Sequence, residues 1–142
     1  MSELKFEVTA LPLPEIEQAI SQGLTAYNES KTEKSDLKAL LVYAKNSAGE
    51  TIGGLIGETL RGWLHIRRLW VSEENRSARL GSQLVIHAED EAIRRGCLGS
   101  YLNTYSFQAQ GFYQKLGYEI FGELDDFPLG HQNIFLKKTF RS

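Results

Sequence analysis

Cysteine is nearly absent from this chain: Cys97 is the only one in 142 residues. A single thiol excludes an intrachain disulfide and a cysteine-built zinc site. Cys97 follows a predicted helix end and reads as a packing residue, since nothing nearby in sequence would activate it as a nucleophile. The three histidines, His65, His87 and His131, lack short ligand spacing, so no metal is expected. No apolar run reaches the length of a membrane span, and Met1–Lys5 has no apolar signal region; a cytoplasmic protein is expected. Neither charge sign dominates: 16 Lys+Arg oppose 18 Asp+Glu for a net charge of -2, with no polybasic run. Neither nucleic acid nor a membrane surface is therefore the expected partner. Two phosphate signatures are also missing, the Walker pattern GxxxxGK(S/T) and the dinucleotide pattern GxGxxG. There are no repeats, linkers or low-complexity segments.

What remains is an ordinary globular composition, 42% hydrophobic and 24% charged, long enough for one domain over residues 1–142 with its own core. Phe6–Val8 reads as a short strand. Pro14 suits the first position of a helix that carries Ile16, Ala19, Ile20 and Leu24 on one face. Tyr27–Lys38 is polar and reads as a loop with at most one short helix. Leu40–Lys45, Thr51–Thr59 and Trp63–Val71 read as three strands in meander. Gly53, Gly54 and Gly57 in the second of these predict a bulge or a close backbone approach. Ser72–Arg79 is a loop. Leu80, Leu84, Val85, Ala88 and Ala92 mark a helix face, and Gly96 fits its left-handed stop. A strand over Leu98–Thr104, a helix over Ala109–Leu116 stopped by Gly117, and strands at Tyr118–Gly122 and Ile134–Lys138 complete the chain. The expected fold is α/β (α+β), a mixed, mostly antiparallel sheet of six to seven strands with about four helices on its two faces.

The chemistry concentrates between Trp63 and Tyr118. A strand feeds the turn Asn75–Ser82, which opens a helix. The first turn of a helix presents unpaired N–H groups, so this turn is a device for holding phosphate. Arg76 and Arg79 add positive charge, and Gly81 permits close approach. Tyr113 follows a second strand and can face the same cleft as a proton donor.

Two motifs carry a resemblance. Arg76-Ser77-Ala78-Arg79-Leu80-Gly81 is similar to the loop of the GCN5-related N-acetyltransferases, Arg or Gln, two residues, Gly, one residue, Gly or Ala. It departs where Arg79 replaces a glycine. Ala109, Tyr113 and Lys115-Leu116-Gly117-Tyr118 resemble that family's closing helix, with Ser106 where an asparagine is common. Ser106 could cap that helix instead, and Asn103 is close by. Leu69-Trp70-Val71, Thr104–Ala109 and Phe127–His131 resemble one bacterial branch of the family.

The resemblance implies an enzyme that moves an acetyl group from acetyl-CoA to a primary amine of a small molecule or peptide, by direct attack in a ternary complex. The alternatives of the same fold are a non-catalytic acyl-CoA sensor and an interaction domain. It implies main-chain contacts to the pantetheine arm from Leu69, Trp70 and Val71, and a cofactor set of Arg76, Ser77, Ala78, Arg79, Leu80, Gly81, Ser82, Asn103, Ser106 and Tyr113. Tyr113 is the candidate acid and His65 the candidate base. Glu58 is a rival base, as are Asp125, Asp126 and His131. Glu58, Tyr27 and Phe127 are candidates for the acceptor pocket, along with Trp63. A homodimer is left open.

Overall fold

The structure is a computed structural model that describes residues 3–108 and 110–140. The chain forms two compact units, one up to Ser35 and one from Asp36 onward.

The first unit is built on helix α1, Pro14–Lys31. Pro14 stands at its start, Glu15 and Glu17 lie in its first turn and Lys31 in its last, each charge at the dipole end that favours it. A Glu17 carboxylate oxygen accepts the Leu13 N–H at 3.0 Å. The expected loop from Tyr27 is thus helical as far as Lys31. No proline or glycine follows Gly23 in that stretch, and polarity alone does not end a helix. The expected strand at Phe6–Val8 does not form; Phe6 and Val8 are exposed and pair with no strand among the described residues.

The second unit is a six-stranded sheet in the order β1-β2-β3-β4-β6-β5. Its strands are β1 (Lys38–Lys45), β2 (Thr51–Leu60), β3 (Trp63–Val71), β4 (Gly99–Tyr105), β5 (Glu119–Asp125) and β6 (Gln132–Thr139). All neighbours are antiparallel except β3 and β4. That parallel pair requires a crossover, supplied by a 3-10 helix (Glu73–Ala78) and helix α2 (Leu80–Arg94). The 3-10 helix occupies the segment expected to be loop. A short helix α3, Gln110–Lys115, joins β4 to β5. Its expected first residue, Ala109, lies outside the described residues. The described residues hold three α-helices rather than about four.

One face of the sheet meets α2. Leu84, Val85, Ala88 and Ala92 recur at helical spacing and are buried against Leu40, Leu55, Leu64, Ile66, Leu102, Ile134 and Leu136. Burial of each such leucine stabilises by about 2 kcal/mol. Glu89 lies within this interface; its carboxylate accepts hydrogen bonds from the Tyr118 hydroxyl at 2.8 Å and Lys138 Nζ at 2.9 Å. These partners are what make a buried carboxylate tolerable there. Gly96 ends the helix with φ +85°, as expected. Among the described residues no helix is long and apolar enough to cross a membrane.

Candidate active site

The site begins with a strand pair that parts. β3 and β4 are in register only at Trp63–Gly99, Leu64–Ser100 and His65–Tyr101. Beyond His65 the register between β2 and β3 shifts, so that Ile56 faces Arg68 and Gly57 faces Ile66. Arg67 is the extra residue of a bulge, which bends and twists the strand that carries it. Gly57 makes the bulge possible: a Cβ there would stand closer than 3.0 Å to the His65 carbonyl oxygen. The expected close approach thus falls at the third of the three glycines.

The parted strands enclose a cleft of about 770 Å³, walled by Ile66–Leu69 of β3, Leu102–Tyr105 of β4, Arg76, Gln108, Phe112 and Tyr113. One backbone edge of β3 is therefore unpaired along this wall. The Ser72 N–H donates to Ile52 in β2 at 2.8 Å. Strand alternation then turns the N–H groups of Leu69 and Val71 the other way, toward the cleft. Three arginines, Arg67, Arg68 and Arg76, stand on the wall, and no carboxylate does.

Tyr113, on α3, is 8% exposed and has aromatic edges against it from Phe112 at 5.0 Å and Tyr118 at 5.8 Å. Burial pushes its phenol up to about 12. It is therefore protonated throughout the neutral range, and it is a weaker acid than a free phenol, which titrates near 10. A free cysteine thiol has a pKa of about 8.5, well below that of this phenol, so full proton transfer from Tyr113 to a thiolate is uphill. Donation of a hydrogen bond to developing negative charge is not.

The α2 helix opens beside this cleft. An added Cβ at Gly81 would stand 3.3 Å from the Phe112 ring, itself part of the wall. Leu80, Gly81 and Ser82 form the first turn and no side chain caps it, so its N–H groups are available to an anion. Arg79, where the resembled loop has glycine, takes the left-handed conformation at φ 61° and ψ 18°. Arg76 Nε donates to the Val71 carbonyl at 3.1 Å, which fixes its guanidinium at the cleft wall. Ser77 and Ala78 lie in the 3-10 helix between them.

The remaining candidates divide. Leu69 and Asn103 line the cleft, and Asn103 Nδ2 donates to Asn133 at 3.1 Å. Trp70 is about half exposed, and Val71 ends β3. The Ser106 hydroxyl accepts the Gln132 N–H at 2.9 Å rather than capping a helix. Trp63 lies edge-on to Tyr101. His65 and Glu58, read as rivals, are brought together: His65 Nδ1 is 3.3 Å from Glu58 Oε2, and the imidazole stacks on Tyr101 at 4.6 Å. Arg67 also approaches Glu58, at 3.6 Å. His65 itself is not on the cleft wall; the next residue, Ile66, is. Tyr27 is exposed on α1, in the first unit. Phe127 lies in the loop before β6, near Tyr105 and next to a cis bond to Pro128. Sequence reasoning missed Arg67, Arg68, Gln108 and Phe112 on the wall. The glycines opposite the bulge were the available signal for the first two.

Residues 36–120 match the Acetyltransferase (GNAT) domain family. Acetyltransferase Atu2258 of Agrobacterium fabrum is 34% identical over 96% of this chain and 100% of its own length. Blasticidin-S acetyltransferase of Streptomyces morookaense is 41% identical over 75% of this chain and 79% of its own. A crystal structure of an acetyltransferase from Bacillus cereus superposes with a TM-score of 0.85 at 33% identity, covering 94% of this chain and 98% of that one. A parted β3–β4 pair beside an uncapped helix opening defines an acyltransferase-like cleft. The chain belongs to the GCN5-related N-acetyltransferase family.

The residues present fit the coenzyme A thioester that this family uses. An uncapped helix opening suits a pyrophosphate, an arginine-lined wall suits an anion, and an unpaired strand edge suits an amide-bearing arm. Among the described residues no group of three or more His, Cys, Asp or Glu is placed to hold a metal.

Proposed function

We propose that this protein transfers an acetyl group from acetyl-CoA to a primary amine of a small molecule or peptide, by direct attack of the amine within a ternary complex. The observation that carries the reading is the parting of β3 and β4 into a cleft that holds the protonated phenol of Tyr113.

The main-chain N–H groups of Leu80, Gly81 and Ser82, with Arg76 and Arg79, hold the pyrophosphate. Ser77, Ala78, Asn103 and Ser106 complete that set as the resemblance has it. The open edge of β3 at Leu69, Trp70 and Val71 pairs with the pantetheine amides. An N–H of Leu69 or Val71 polarises the thioester carbonyl, a contribution of about 3 kcal/mol when well aimed. Tyr113 donates its hydroxyl hydrogen to the sulfur as negative charge develops there. His65 takes the proton from the acceptor ammonium, directly or through water, with its Nδ1 held by Glu58.

A small-molecule acceptor is supported by the 41% identity to a relative named for acetylating blasticidin-S, so blasticidin-S heads the amines to try. The test is thiol release from acetyl-CoA across an amine panel, beside thermal unfolding with and without acetyl-CoA. Saturating binding at 100 times Kd stabilises by about 2.7 kcal/mol. The absence of both thiol release and a thermal shift would remove the proposal; a shift without turnover on any amine would favour a sensor.

A further inference from the structure

Glu89 is a buried carboxylate outside the cleft wall. It stands within α2, its two oxygens taken by the Tyr118 hydroxyl and Lys138 Nζ. Well-packed apolar residues in place of such a buried polar cluster are often as stable or more so. Stability alone therefore does not call for an acid at this position.

Its relation to Tyr113 does. Helix α3 is only six residues long, and a helix of that length does not hold its own shape or direction. Two aromatic rings meet the Tyr113 ring edge-on, Phe112 at 5.0 Å and Tyr118 at 5.8 Å. Both rings are fixed against α2. Phe112 lies beside Gly81, where an added Cβ would stand 3.3 Å from the ring. Tyr118 is tied through its hydroxyl to Glu89 at 2.8 Å. Gly81 and Glu89 stand about 12 Å apart along the helix axis, so α2 secures the surroundings of Tyr113 at two separated points. The Tyr118 N–H also donates to the Tyr113 carbonyl at 3.0 Å, which couples the anchored residue to the backbone that carries the phenol.

We infer that Glu89 and Tyr118 are positioning residues for Tyr113: the hydrogen bond between them fixes the Tyr113 phenol relative to the opening turn of α2. Neither residue is on the cleft wall, so each acts through the Tyr113 ring. Leu80, Gly81, Ser82 and Glu89 belong to one helix. The bond thereby sets the spacing between the turn that holds the pyrophosphate and the hydroxyl that donates to the sulfur. Misplacing a catalytic group by as little as 1 Å costs rate steeply. The inference rests on the acetyltransferase reading and adds to it what aims the donor.

The test is a double-mutant cycle, read as thiol release with blasticidin-S or whichever amine of the panel turns over. Tyr118→Phe keeps the ring and removes the hydroxyl. It should lower kcat about tenfold, with the calorimetric acetyl-CoA Kd within about twofold of wild type. In a Tyr113→Phe background the same substitution should change kcat by less than about twofold, because no donor is left to aim. A general loss of packing would lower kcat equally in both backgrounds. Glu89→Ala should lower kcat as Tyr118→Phe does. Glu89→Gln keeps an acceptor oxygen while giving up the ion pair with Lys138, and should restore most of the rate. Ring-carbon NMR of the ligand-free protein needs no turnover. The Tyr113 signal, identified by its loss in Tyr113→Phe, should be shifted or broadened in Tyr118→Phe. Wild-type kcat in Tyr118→Phe, an equal fall in both backgrounds, or an unmoved Tyr113 signal overturns the inference. Failure of the wild type to bind acetyl-CoA would instead overturn the acetyltransferase reading.

Discussion

Replacing Gly57 by alanine tests the link between one backbone contact and the whole cleft. The new methyl would fall within 3.0 Å of the His65 carbonyl oxygen and within 3.5 Å of the Ile66 Cα. Both obstacles are backbone, so no side-chain rotation relieves them; β2 and β3 must separate. Overpacking against backbone falls in the upper part of the usual range, at about 2–3 kcal/mol. Alanine returns about 0.5–1 kcal/mol by restricting the unfolded chain, which leaves a net loss of about 1–2 kcal/mol. Urea unfolding followed by the fluorescence of Trp63 and Trp70 should show a midpoint lower by about 0.5–1 M with an unchanged slope. Ile66 and Leu69 flank the bulge and line the cleft, so acetyl-CoA affinity should fall as well. Gly111→Ala is the control: nothing lies within 4 Å of the added atom, and the helix should gain up to about 1 kcal/mol. An unchanged midpoint for Gly57→Ala would refute the steric account of the bulge.

Three further outcomes are expected. Glu89→Ala strips the buried Tyr118 hydroxyl of its acceptor and Lys138 of its counter-ion, and denaturant titration should show a loss of about 2–4 kcal/mol; a loss below about 1 kcal/mol contradicts it. Arg79→Gly relieves a left-handed non-glycine residue at φ 61°, so stability should stay level or rise by up to about 1 kcal/mol; a drop in the urea midpoint contradicts it. Tyr113 holds its proton more tightly folded, near 12, than unfolded, near 10. Its share of stability is therefore complete below about pH 10 and is lost as pH rises through about 12, at up to about 1.4 kcal/mol per pH unit. Burial and the Glu89 carboxylate raise Tyr118 as well, which adds a loss of the same sign. Urea midpoints at pH 8, 10 and 11 check this, and a midpoint rising with pH contradicts it.

The sheet was legible because its signals are local. Leu64 and Ile66 alternate along β3 on the face that α2 covers, and Gly96 and Gly117 carry the positive φ expected of helix stops. The last turns of α1 were not legible, since Tyr27–Lys31 has no apolar face and the helix buries no residue. Of the site, the uncapped opening of α2 and the position of Tyr113 could be read from motif spacing. The Glu58–His65 contact could not: the two lie seven residues apart across a turn, and only the β2–β3 register makes them opposite. The burial of Tyr113 was not legible for a related reason. Its burial comes from Phe112 beside it and Tyr118 at the start of the next segment closing over the ring, which residue spacing does not report. The left-handed Arg79 is a further case: the departure from the resembled loop's glycine left the backbone angle there open, and the arginine takes a positive φ of 61°.

The most direct measurement is steady-state thiol release from acetyl-CoA by Tyr113→Phe beside the wild type, with acetyl-CoA Kd determined on the same preparations. The phenylalanine keeps the ring in its buried seat and removes only the hydrogen-bond donor. The account predicts kcat lower by about 100-fold with Kd within about twofold of wild type. Wild-type kcat in the variant would contradict it.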